Sequence, residues 1–101
     1  MAWNAALISD MIFTQPVVHE FGQIRTPTLL VIGQRDRTAV GKDRVPKETA
    51  ARMGDYPALG RAAARRIPGA RLVEINEAGH IPQVETPSKY FRAPLDFLSG
   101  R

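Results

Sequence analysis

The sequence predicts an α/β fold built on parallel strands, and three observations carry that prediction. Thr28-Leu-Leu-Val-Ile32 is an apolar run without polar alternation, the pattern of a strand covered on both faces. Arg71 to Ile75 is a second short strand. A helix-like stretch lies between them, so the pair forms a β-α-β unit, which joins parallel strands through a right-handed crossover. Both strands then end at one edge of the sheet, and groups just past the two ends are brought together.

The remaining elements follow in order. Met1 to Thr14 places Trp3, Leu7, Ile8, Met11 and Ile12 at i, i+4, i+5, i+8 and i+9, an amphipathic helix that Pro16 ends. Residues 17–24 read as a connector, with Phe21 and Ile24 as apolar anchors and Gly22 as a break. Thr38 to Gly54 is polar and holds one short helix over 47–53. Asp55-Tyr56-Pro57 opens a clearer helix, with Leu59, Ala62, Ala63 and Ile67 as its buried stripe and Pro68-Gly69 as its stop. Arg61 and Arg65, four apart, repel each other and are expected to face solvent. Near the C-terminus Thr86-Pro87 reads as N-cap and first helical residue, and Tyr90, Phe91, Leu95 and Leu98 supply an apolar face. Pro94 falls inside that helix, where proline costs about 3 kcal/mol, so a bend or break is expected near Ala93.

Composition narrows the function classes. A chain of 101 residues, 44% hydrophobic and 24% charged, has the balance of one globular domain at most. It contains no cysteine, which excludes disulfides and thiolate metal sites. His19 and His80 share no ligand spacing, so no metal site and no cofactor is expected. The apolar runs are far shorter than the roughly 20 residues that span a bilayer, and no basic region followed by an apolar block marks a secretory signal. No membrane partner is expected, and a cytoplasmic location follows by default. The net charge of +4 does not imply nucleic acid, because the basic residues are scattered. Arg35, Arg37, Lys42, Arg44 and Lys47 alternate with Asp36, Asp43 and Glu48, while Arg61, Arg65 and Arg66 share one helix without an aromatic among them.

Chemistry concentrates in Leu72-Val-Glu-Ile-Asn-Glu-Ala-Gly-His-Ile-Pro-Gln-Val-Glu-Thr-Pro87, a strand running into a Gly-His turn and then a proline-initiated helix. His80 is thereby aimed and exposed at a strand end, as a general base must be, and its unperturbed pKa lies near neutrality. Pro27 to Asp36 repeats the plan: an apolar strand, a glycine and one carboxylate just past the end. Asp36 is either a turn or N-cap residue or the carboxylate that orients a histidine. His19 has no partner carboxylate or motif and reads as an exposed or capping residue.

Taken together, Pro27-Thr-Leu-Leu-Val-Ile-Gly-Gln-Arg-Asp36, Ile67-Pro-Gly-Ala-Arg-Leu-Val-Glu-Ile75, Ala78-Gly-His-Ile-Pro-Gln-Val-Glu-Thr-Pro87 and Phe97-Leu98 resemble, in order and spacing, the C-terminal part of the α/β-hydrolase fold family. The resemblance implies a C-terminal part of an α/β-hydrolase sheet, two parallel strands with flanking helices, over 24–101. Residues 1–23 resemble the end of the helical cap and its connector. It further implies that Asp36 is the acid and His80 the base of a catalytic triad acting on an ester- or amide-like bond of a small-molecule substrate. The histidine takes the proton of a hydroxyl nucleophile, while the carboxylate fixes its tautomer and stabilises the imidazolium. Some members of the family use an aspartate nucleophile on halides or epoxides, which leaves the bond cleaved open.

The third triad member is not in this sequence. The family's nucleophile sits in a Gly-x-Ser-x-Gly elbow ahead of the acid and histidine, whereas the serines here, Ser9, Ser88 and Ser99, stand in no such setting. A two-strand parallel sheet is also incomplete as a domain, since open parallel sheets hold several strands covered on both faces. The expectation is therefore a truncated or split hydrolase, inactive alone and dependent on an N-terminal hydrolase segment as partner. The alternative is a non-catalytic remnant that binds or dimerises, a homo-oligomer formed through its open sheet edge.

Overall fold

The computed structural model describes residues 2–101. In chain order it holds α1 (Ala2–Thr14), a 3-10 turn (Val18–Gln23), β1 (Leu29–Gly33), a second 3-10 turn (Lys42–Arg44), α2 (Lys47–Ala50), α3 (Tyr56–Arg66), β2 (Arg71–Ile75), α4 (Pro82–Glu85) and α5 (Pro87–Leu98). Met1, placed in the first helix by the sequence pattern, lies outside the described residues. The strands form a two-stranded parallel sheet in the register Leu29↔Arg71 to Gly33↔Ile75. That is the expected β-α-β unit, with β1 starting and ending one residue later than the apolar run suggests.

Helix α3 crosses between the strands because its ends are well specified. The Asp55 carboxylate accepts from the Ala58 N–H at 3.3 Å, and Pro57 occupies the first turn, where its missing N–H costs nothing. The helix lies directly on β1: a Cβ on Gly60 would sit 2.7 Å from Ile32 Cγ1. Among the described residues the hydrophobic core is small: Ile67, Ile75, Ala78 and Ala93. α5 packs across the same two strands.

Several expectations fail for one shared reason, that this sheet has little to be buried against. Strand β1 is only half-buried except at Gly33: α3 and α5 pack on it, but one of its edges has no neighbouring strand. Leu59, placed in the buried stripe of α3, is 53% exposed, and the buried positions of that helix are Pro57 and Gly60. Phe91, Leu95 and Leu98 likewise face outward from α5. The stripe on α1 is bare from Trp3 to Ile12, and that helix buries none of its residues. The radius of gyration, 15.3 Å, exceeds the roughly 13 Å of a compact domain of this length.

Other differences are local. α5 does not break at Pro94 but runs on to Leu98, since a proline there removes a single N–H while the last turn is still closed by Ser99 N–H to Leu95 C=O at 3.0 Å. Thr86 stands at the N-cap of α5 as expected, its C=O accepting from the Tyr90 N–H at 2.9 Å, but its hydroxyl caps no helix N–H and donates back to the Pro82 carbonyl at 3.1 Å, closing the unforeseen one-turn helix α4. The short helix expected over 47–53 ends at Ala50. Arg61 does not simply face solvent, for its guanidinium bonds the Glu74 carboxylate on β2 at 2.7 Å.

Candidate functional site

The site lies past the carboxyl ends of β1 and β2, where two chain segments are stitched together. Gln34 N–H donates to Ile75 C=O and Arg35 N–H to Ala78 C=O, each at 2.9 Å, so the β1 end continues pairing with the turn that follows β2. The approach is close enough to demand glycine: a Cβ on Gly33 would lie 2.1 Å from the Gly79 oxygen and 2.6 Å from that of Ala78. Asp36 then turns back, its N–H bonding Gly33 C=O at 3.1 Å.

This stitching brings together the two residues that the sequence singles out. His80 Nδ1 lies 2.8 Å from Asp36 Oδ2, across 44 residues of chain. The other carboxylate oxygen of Asp36 accepts from the Thr38 N–H at 2.9 Å. Asp36 is the one polar or charged residue among those buried, 6% exposed, whereas the His80 side chain is 54% exposed. Burial pushes the Asp36 carboxyl up, but the Thr38 N–H and the His80 imidazole together outweigh it and hold the group below its ordinary value. An ionised carboxylate can only accept, so Nδ1 carries the proton and Nε2 is left as the basic nitrogen of an exposed ring.

Two further side chains flank the pair, one against the His80 ring and one on the backbone to either side of it. The Tyr56 ring meets the His80 ring edge-on, centroids 5.9 Å apart, from the first residue of α3. Glu85, at the end of α4, accepts through one oxygen, Oε2, from the N–H of Gly79 at 3.0 Å and from that of Ile81 at 3.1 Å. Neither is singled out by sequence reasoning. Tyr56 carries no signal beyond its place at a helix start, while Glu85 stands five residues after His80, and a carboxylate that close to a Gly-His turn was the clue available. His19, by contrast, is exposed on the first 3-10 turn, as expected. Among the described residues no three His, Asp or Glu side chains gather as metal ligands, and no helix is long and apolar enough to cross a membrane.

No family model and no curated protein matches the chain. A solved structure, that of a probable hydrolytic enzyme from Pseudomonas aeruginosa PAO1, is 55% identical over 96% of this chain, with a TM-score of 0.92. The chain has the C-terminal part of an α/β-hydrolase fold. It spans 31% of the length of that neighbour's chain. β1 has a free edge, and beside it Leu30 and Ile32, with Phe21 and with Tyr56 and Leu59 of α3, line an apolar groove of about 410 Å³.

Proposed function

We propose that this chain is the C-terminal segment of a serine-type α/β-hydrolase and supplies the acid and the base for hydrolysis of an ester- or amide-like bond. The observation that carries the reading is the Asp36–His80 pair, 2.8 Å apart at the carboxyl edge of a parallel sheet, in a chain 55% identical to a probable hydrolytic enzyme. In this reading His80 Nε2 accepts the proton of a nucleophile hydroxyl as it attacks the substrate carbonyl, and later returns it to the leaving group. Asp36, kept ionised by the Thr38 N–H, holds the Nδ1–H tautomer and offsets the imidazolium charge at that moment. The nucleophile comes from a segment N-terminal to this one, seated along the free edge of β1. Residues 1–23 serve as the end of a cap over the site.

The test is turnover of an activated ester such as p-nitrophenyl acetate by the protein in which this segment and its nucleophile are joined. Replacing His80 by Ala lowers kcat by about 10²–10⁴-fold, the usual contribution of a positioned general base. Unchanged turnover would remove His80 from the chemistry.

The bare stripe of α1, from Trp3 to Phe13, favours a second reading in which the chain acts as a binding or dimerisation module. The native mass separates the two. A stable dimer of the 11.2 kDa chain, with no dependence on another segment, supports the module and counts against the hydrolase.

A further inference from the structure

We propose that Glu85 is the positioning residue of the His80 turn, a role that rests on reading Asp36 and His80 as the acid and base of a hydrolase. Between Ala78 and Pro82 the backbone N–H groups have little else to hold them. Among the described residues the N–H groups of Gly79 and Ile81 have one protein partner, Oε2 of Glu85, and that single oxygen takes both. Two amides that flank one residue are thus tied to one point, which fixes the backbone of the residue between them. That residue is His80.

The glutamate is itself well anchored. Its own N–H and that of Val84 both donate to Ile81 C=O at 3.0 Å, and Thr86 N–H donates to Pro82 C=O at 2.8 Å, so α4 is a closed turn on the buried Pro82. From there the side chain folds back over the turn, so near that a Cβ on Gly79 would stand 3.2 Å from Oε1. A capping role alone would require the bond to Ile81, the residue ahead of the helix. The bond to Gly79 reaches across His80 and adds nothing to the helix; it shapes the turn. A charged acceptor shared by two amides is also among the stronger hydrogen-bonding arrangements.

The experiment compares Glu85→Ala, Glu85→Gln and Glu85→Asp in the intact protein, with three readouts: the His80 tautomer by nitrogen NMR of ¹⁵N-histidine, amide exchange at Gly79 and Ile81, and kcat against KM on p-nitrophenyl acetate. Glu85→Ala should speed exchange of both amides about tenfold or more, the loss of a charge-assisted bond. It should also move His80 from the Nδ1–H tautomer toward the Nε2–H form that free imidazole side chains prefer, and lower kcat by about tenfold with KM nearly unchanged. Glu85→Gln keeps an oxygen acceptor of the same reach and should restore the tautomer and most of kcat. Glu85→Asp, one methylene short, should not. A His80 tautomer and kcat that are unaltered in Glu85→Ala would overturn the proposal. Where that variant does not fold, Gln and Asp variants that behave alike would do so. If the tautomer shifts in Glu85→Ala but His80→Ala still turns over ester, the positioning role stands and the hydrolase reading falls. If His80→Ala is dead but Glu85→Ala keeps the pair, the reverse holds.

Discussion

Asp36 is the buried carboxyl that links the fold to pH. Its carboxyl is lowered below the ordinary 3.8, so it contributes stability that is fully present above that value and lost as pH falls through the lower folded-state value. The midpoint of urea unfolding should therefore drop steeply below about pH 4. Asp36→Asn should remove that part of the acid limb; an identical limb in both proteins would show that other carboxylates dominate. The exposed pairs add little by comparison. Arg37 with Asp55 at 3.8 Å and Lys89 with Glu77 at 2.5 Å are both about half-exposed, where solvent screens the attraction. Of the site, the sequence made legible the two groups that end strands, Asp36 and His80, because strand, glycine and lone polar residue is a local pattern. Tyr56 was not legible, since its contact with His80 depends on how α3 docks, and Glu85 left only its nearness to the Gly-His turn as a clue.

At the scale of elements the close approaches make sharp predictions. Gly33→Ala would drive a Cβ into two backbone carbonyls that cannot rotate aside, and should destabilise the fold by about 3 kcal/mol or more in denaturant titration, at the upper end for overpacking. A change below about 1 kcal/mol would mean the β1 end and the His80 turn are not so tightly stitched. Pro94→Ala should act in the other direction. It restores an N–H toward the Tyr90 carbonyl in the middle of α5 and should raise stability by about 1–3 kcal/mol. A loss of stability would show that the proline ring packs usefully instead. The elements themselves were legible where local chemistry specifies them: Asp55 capping α3, Pro87 starting α5, the apolar runs of both strands. They were misread where tertiary context overrides it. Pro94 argues for a break, yet the packing of Ala93 and the closed last turn keep α5 whole.

At the scale of the whole molecule the main fact is surface. Trp3, Phe13, Val84, Phe91, Leu95 and Leu98 are all more than half exposed, while among the described residues no large side chain is fully buried. An apolar pattern in sequence tells which residues seek burial but not whether a partner surface is present to bury them, and that is why the buried faces foreseen for β1, Leu59 and α5 lie open. On the proposed reading, a preceding hydrolase segment that continues the sheet would cover this apolar area. Its likeness to the Pseudomonas enzyme, a TM-score of 0.92 over 96% of this chain, makes a chimera the most direct measurement: this chain in place of the matched 31% of that protein. The account predicts that the chimera folds and hydrolyses p-nitrophenyl acetate, and that His80→Ala within it cuts kcat by about 10²–10⁴-fold while leaving it folded. A folded chimera whose turnover is indifferent to His80 would contradict it.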